Sequence, residues 1–232
     1  MSGPAPAPRA VQVVRAGLVP YRAALAWQRE LAAARIAGRL RDDLLLLVEH
    51  PPVVTLGRTA RAAHVLRDAG IEVVEVERGG DVTYHGPGQI LGYPIVDLRE
   101  WKRDVGAYVR AVEQTIIDAL SDFGIASERI PKLTGVWTQT ENDTHAKIAA
   151  IGVHLSRWVS THGWALNVTT DLRYFQYIVP CGLTKPVTSM AAVRAPQNAP
   201  DAEDVKRALA QRFGQNFDFE MQAEAPALTG RV

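Results

Sequence analysis

The stretch Arg78-Gly79-Gly80-Asp81-Val82-Thr83-Tyr84-His85-Gly86-Pro87-Gly88-Gln89 constrains this chain more than any other. It sets four glycines and a proline among Arg, Asp, Thr, Tyr and His. Glycine lets a backbone approach a ligand closely or take φ > 0 without a Cβ clash. Arg78 and His85 add donors suited to a carbonyl, carboxylate or phosphate oxygen. The bland alternative is a glycine-rich turn between two strands. The next nine residues weigh against that alternative: Ile90-Leu91-Gly92-Tyr93-Pro94-Ile95-Val96-Asp97-Leu98 is an apolar run of strand length. The polar loop is therefore anchored to core, a common way to mount a site on a rigid strand.

The chain has 232 residues, 47% hydrophobic, with a net charge of +1. One domain of generous size is the simplest organisation. No broad basic stripe is present, which argues against nucleic acid as a partner, while local basic patches can still meet an acidic protein. The N-terminal Met1–Pro8, MSGPAPAP, has neither a charged n-region nor an apolar h-region. The longest apolar runs, such as Leu44–Val48, are too short to span a bilayer, and the expected location is cytoplasmic. The single cysteine, Cys181, lacks a partner for an internal disulfide or a structural zinc site. It is either inert packing or a reagent.

Residues 1–10 read as a disordered N-terminal tail, 11–219 as one catalytic domain and 220–232 as a flexible C-terminal tail. Within the domain, Val11–Val14, Leu44–Glu49, Val53–Leu56, Ile71–Val76, Gly135–Thr138, Lys147–Leu155 and Trp164–Val168 suit strands. Helices are expected from Pro20 to Gly38, over a short piece at Ala62–Ala69, behind the cap Asp104 as far as Gly124, and over Ala202–Phe213 behind Asp201. Strands outnumber helices and hairpin-like neighbours recur, so the fold class is α+β: a mixed sheet covered by helices, not a doubly wound one.

Two further clusters carry chemistry. In Lys147-Ile148-Ala149-Ala150-Ile151-Gly152-Val153 a lysine opens a nearly all-apolar strand. Burial would disfavour its charged form and make it a usable proton acceptor, whereas a lysine at a strand end can also snorkel to solvent. In Val179-Pro180-Cys181-Gly182-Leu183 the thiol lies on a loop. Cysteine is commonly a small buried hydrophobe, but the Pro-Cys-Gly setting puts backbone N–H groups where they can face an incoming carbonyl.

Together with His162-Gly163-Trp164-Ala165-Leu166-Asn167, these clusters occur in an order and spacing that closely resembles the lipoyl(octanoyl) transferases, and Glu49-His50-Pro51 and Thr55-Leu56-Gly57-Arg58 fit too. The resemblance implies a biotin/lipoate protein ligase type of fold. It implies transfer of an octanoyl chain from octanoyl-acyl carrier protein to a lysine of lipoyl domains, in 2-oxoacid dehydrogenase complexes and in the glycine cleavage H protein. It makes Cys181 the acyl-accepting nucleophile and Lys147 the residue that activates it. Arg78, Gly79, Gly80, Asp81, Val82, Thr83, Tyr84 and His85, with Ala150, Ile151, Gly152, Gly163, Trp164 and Ala165, become the acyl-substrate wall. The least familiar stretch is Thr138–His145.

A thioester exchanged for a second thioester and then for an amide needs no ATP, and no cofactor is expected. Cysteine must be thiolate to attack, and a neutral Lys147 could take its proton. His85 and His162 are rival bases, or pocket and orienting groups. No close metal-ligand spacing joins the six histidines, so no metal is assigned. An ATP-using lipoate or biotin ligase and a non-catalytic binder of carrier or lipoyl domains are the competing readings. Cys181 argues against the first, and a covalent acyl group on it would decide the second.

Overall fold

A computed structural model describes residues 9–61, 70–140, 144–178, 185–195 and 197–222. The chain runs β1 (Arg9–Leu18), α1 (Tyr21–Ile36), β2 (Asp43–Glu49), β3 (Val53–Leu56), β4 (Glu72–Glu75), β5 (Val82–His85), β6 (Gln89–Ile95) and α2 (Val105–Asp122). It continues through β7 (Glu128–Ile130), β8 (Leu133–Gln139), β9 (His145–Ser156), β10 (Val159–Asn167), a 3-10 turn over Leu172–Tyr177, α3 (Met190–Arg194), α4 (Ala202–Phe217) and β11 (Phe219–Gln222).

The strands form an eight-stranded sheet of order β11-β1-β2-β6-β10-β9-β8-β7 and a three-stranded sheet of order β4-β3-β5. In the large sheet β1 pairs parallel with both β11 and β2, and the remaining ladders are antiparallel. The mixed α+β class is thus what the chain adopts.

Successive side chains of a strand point to opposite faces, and both faces of the central strands are covered. Leu45 and Leu47 of β2 pack with Ile90, Trp164 and Leu166 under α2 and α4, against Tyr108, Ile116, Leu209 and Phe213. Leu44 and Leu46 turn the other way, with Leu91, Tyr93 and Ala165, onto Ala24 and Ala32 of α1. That double cover explains why β2 and β6 read as unbroken apolar runs. Helix starts follow the capping residues: Asp104 Oδ1 accepts from Ala107 N at 2.9 Å, and Asp201 Oδ1 accepts from Glu203 N at 2.8 Å. The small sheet packs on α1 through Val53, Val74 and Val76 against Tyr21 and Leu25.

Several elements depart from the sequence reading. Residues 82–85, read as part of one long loop, form β5 and pair antiparallel with β3. Residues 220–222, assigned to the C-terminal tail, lie in β11 on the edge of the large sheet, and β1 already begins at Arg9. The pairing partner of each is remote in sequence, so no local pattern marks it. The helical piece expected at Ala62–Ala69, Cys181 and its neighbours, and the outermost residues of both tails lie outside the described residues.

Candidate active site

A cavity of about 410 Å³ is lined by Tyr21 of α1, Leu91 and Tyr93 of β6, β9 and β10 residues, and residues 78–83 and His85 leading into and along β5. Its floor is made of small side chains. In the β9–β10 ladder Ala150 faces Ala165 and Gly152 faces Gly163, and all four line the cavity. Neighbouring Ile151 and Trp164 also border it, but their side chains turn toward the α2/α4 core. The Trp164 ring lies 6.0 Å from that of Phe213.

The two glycines of this floor are sterically required. A Cβ on Gly163 would lie 2.2 Å from Gly92 O, and one on Gly152 would lie 2.8 Å from Gly79 O. The second contact is where the roof meets the floor: Gly79 N donates to Val153 O at 2.9 Å. The roof is tied from its other side by Arg58 N to Arg78 O at 3.0 Å and Thr59 N to Gly80 O at 3.1 Å.

Arg78 is buried, and its guanidinium Nη2 donates to both Thr55 O and Thr55 Oγ1 at 2.8 Å. Asp81 Oδ1 accepts from Val82 N at 2.7 Å. Gly79, Gly80, Val82 and Thr83 line the cavity beside them. Tyr84 faces away: it is not among the lining residues, and it stacks on Tyr174 at 4.8 Å within a cluster with Val54, Val82 and Ile178. Alternation along β5 puts Tyr84 on the face opposite Thr83 and His85, the face it shares with Val82.

His85 sits in a chain of buried hydrogen bonds. Its Nδ1 is 2.7 Å from Gln89 Oε1 and its Nε2 is 3.3 Å from Thr55 Oγ1. Gln89 Nε2 donates to Asn167 Oδ1 at 2.8 Å, and Asn167 Nδ2 to Thr188 O at 2.9 Å. Burial holds the His85 pKa well below the ordinary value, with His50 adding to the effect. His50 is treated likewise: Nδ1 donates to Val19 O at 2.6 Å, Nε2 accepts from Tyr93 OH at 2.7 Å, and burial lowers its pKa to about 4. The Tyr21 ring stacks on His85 at 5.8 Å and meets His50 edge-on at 5.1 Å.

Lys147 also lines the cavity. Its Nζ stands 4.7 Å from the Trp137 ring centroid, and the same ring has Lys185 Nζ at 5.8 Å. Both contacts are of cation–π type. The backbone of Lys147 is pinned by residues 186–188: Lys147 N donates to Pro186 O at 2.8 Å, and Thr188 N to Lys147 O at 2.9 Å. His162 lines the cavity, 2% exposed, with its pKa lowered by burial to about 4 against the opposing pull of Glu77.

Tyr21, Tyr93, Gln89 and Lys132 also line the cavity, although sequence reasoning does not single them out as site residues. Gln89 alone carries a usable signal, as a polar residue closing the glycine-rich stretch, and it pairs with Asn167 in the β6–β10 ladder. Among the described residues no group of three or more His, Cys, Asp or Glu is placed to hold a metal ion. No described helix is long and apolar enough to cross a membrane.

The fold is that of lipoate and biotin protein ligases. A bi-partite lipoate protein ligase from Thermoplasma acidophilum superposes with a TM-score of 0.66 at 16% identity, over 95% of this chain and 88% of that one. A biotin protein ligase from Aquifex aeolicus gives 0.56 at 12% identity, over 89% and 70%. At such identities the likeness concerns the fold alone. Sequence goes further: the chain belongs to the lipoyl protein ligase A/B catalytic domain family, which matches residues 20–214. An octanoyltransferase from Solibacter usitatus is 59% identical over 213 residues, spanning 88% of this chain and 92% of that protein.

Proposed function

We propose that this chain is an acyltransferase that takes an octanoyl group from octanoyl-acyl carrier protein onto Cys181 and passes it to a lysine of a lipoyl domain. Its likeness to octanoyltransferases over most of its length supports the reaction. The observation that carries the reading is the cavity itself: a floor of Ala150, Ala165, Gly152 and Gly163 with Lys147 at one end. Such a floor leaves room for a straight apolar chain and offers it no polar partner, while the lysine stands where a carbonyl would enter.

Cys181 is three residues past Ile178, whose side chain packs on β3 and β5. It is four residues before Lys185, whose ammonium shares the Trp137 ring with Lys147.

In the first step Lys147 accepts the Cys181 proton, the thiolate attacks the carrier thioester, and the carrier C–S bond breaks as the leaving carrier sulfur receives that proton from Lys147. The second step runs from thioester to amide. The neutral amine of the acceptor lysine attacks, the C–N bond forms, and its proton passes through Lys147 to the departing Cys181 sulfur. Both steps balance without nucleotide. Backbone N–H groups of the glycine-rich segments serve as oxyanion donors.

The test is intact-mass analysis after mixing with octanoyl-acyl carrier protein, without ATP, followed by addition of a lipoyl domain. A hydroxylamine-sensitive octanoyl adduct on Cys181, chased into an amide on the acceptor lysine, is expected. An absolute requirement for ATP with free octanoate, and no reaction with the carrier thioester, would replace the transferase by a ligase.

A further inference from the structure

We infer that Lys132 and Lys185 form a cationic rim beside Lys147 that selects the acceptor lysine by its neighbours: the amine admitted is one flanked by carboxylates on its own protein. The inference rests on the acyl-transfer reading of the cavity.

Three observations carry it. The first is where the cavity opens. Among the described residues that line it, those exposed are Gly80 of the roof, Lys132 of the β7–β8 turn and Thr134 just after that turn. A group entering from solvent therefore passes Lys132. That lysine takes φ 67°, the left-handed region that a residue with a Cβ enters only at a cost. Glycine would sit there without strain.

The grouping of the lysines is the second. A Cβ on Gly135 would stand 3.3 Å from Lys147 Cε, so the Lys147 side chain runs along the backbone of β8 and ends over the Trp137 ring. Lys185 Nζ reaches the same ring. The ring is 1% exposed, and its Nε1 donates to Leu133 O at 3.2 Å, the residue next to Lys132. Two cations are thus gathered on one fixed ring, and the turn that bears the third holds that ring in place.

Charge balance is the third. Lys132 and Lys185 form no ion pair among the described residues. Carboxylates on the flanking elements are already engaged: Glu113 with Arg129 and with Gly135 N, and Glu128 with His145. Asp81 lines the cavity but is buried and accepts from Val82 N. A lysine amine hangs on a four-carbon stem, so an acceptor that presents it to an acyl group beside Lys147 must bring its own backbone down onto this rim. There the ammonium of an ordinary surface lysine meets like charge, whereas carboxylates beside it pair with Lys132 and Lys185 and offset the repulsion. Repulsion of the wrong amine contributes to the choice as much as attraction of the right one.

The test uses a lipoyl domain in three versions, with Glu, Gln or Lys at both positions flanking its acceptor lysine. The protein is first loaded from octanoyl-acyl carrier protein, the acceptor is then added, and both stages are followed by intact mass. The unmodified protein is expected to show its lowest acceptor KM with Glu flanks and one about tenfold higher with Lys flanks, a contrast that shrinks as salt is added. Lys132→Glu combined with Lys185→Glu should invert the order, and Lys132→Gln combined with Lys185→Gln should flatten it. Should the reversed pair fail to fold, the Gln pair still decides. An order unchanged in the variants, or no dependence on the flanks in the unmodified protein, would overturn the rim. Variants that slow loading from the carrier and keep the acceptor order would overturn it too, by assigning both lysines to the donor. Absence of any acyl adduct on the unmodified protein would instead overturn the acyl-transfer reading.

Discussion

The side-chain nitrogen of Gln89 donates to Asn167 Oδ1 at 2.8 Å, and this contact determines which nitrogen of His85 carries a proton. Asn167 Nδ2 faces the carbonyl of Thr188, which can only accept. Asn167 must therefore turn its oxygen to Gln89, whose nitrogen also reaches Tyr84 O at 3.3 Å. Gln89 Oε1 is left for His85, so Nδ1 is the protonated nitrogen and Nε2 accepts from the Thr55 hydroxyl. His85 is thereby held neutral and engaged on both sides, an orienting group rather than a free base.

Because Asn167 and Gln89 serve one chain of bonds, their substitutions should not add. Asn167→Leu and Gln89→Leu are each expected to cost about 1–3 kcal/mol by stranding buried partners. A double-mutant cycle by urea unfolding should show about 1 kcal/mol of coupling. Strictly additive effects would mean that the network does not operate as a unit. Asn167→Leu should also impair acyl transfer more than Gln89→Leu, because Thr188 anchors the backbone of Lys147.

The Cys181–Lys147 pair makes a separate prediction. With Lys147 as base, the Cys181 thiol should ionise below the free value of about 8.5, and alkylation should be fast near neutral pH. Lys147→Ala should slow alkylation and abolish acyl transfer while leaving the fold intact. Alkylation rates measured across pH on both proteins give the answer. Superimposable profiles would remove Lys147 from the role of activator.

Acid should destabilise the fold in a window set by its buried histidines. His50 and His162 are lowered by burial from 6.5 to about 4. The unfolded chain then binds protons that the folded one refuses, so stability is full above the unfolded pKa and is lost as pH falls from about 6.5 toward 4. Each histidine should cost about 2 kcal/mol by pH 5. Glu77, held at about 2 by its hydrogen bond to Arg29, acts the same way only below the ordinary carboxylate range. Urea midpoints at pH 7 and pH 5 should diverge less for His50→Gln than for the unmodified protein. An equal drop in both would exclude His50 as a source.

Much of this site is legible in the sequence because its motifs coincide with strand ends. The Lys147 segment reads as a site-bearing strand and His162-Gly163 as a motif just before the expected Trp164–Val168 strand, and the small residues at 150, 152, 163 and 165 are consecutive members of one face. Tyr84 is illegible as a packing residue because the glycines around it disguise β5 as loop, and only its pairing with Val54 turns the ring toward Tyr174. Tyr21 and Tyr93 come from elements that read as plain core, and nothing local tells a residue on α1 that the small sheet will fold back over it. The fold class survives these gaps because periodicity settles element type, whereas the cavity depends on contacts between remote segments.

The meeting of floor and roof can be tested by a single methyl group. Gly152→Ala would place a Cβ 2.8 Å from Gly79 O and 3.1 Å from Arg78 Cδ. The backbone atom cannot swing aside as a flexible side chain would, so the 78–80 segment must lift, and the cost should be about 1–3 kcal/mol. Gly79→Ala is the matched control. Its Cβ would find only Val153 O at 3.5 Å, an ordinary contact, so its stability should stay within about 0.5 kcal/mol of the unmodified protein. Thermal unfolding separates the two variants, and acyl-transfer kinetics should add a raised KM for octanoyl-acyl carrier protein in Gly152→Ala as the displaced roof loosens the cavity. If Gly152→Ala melts with the unmodified protein and keeps its KM, the 78–80 segment does not close this end of the cavity.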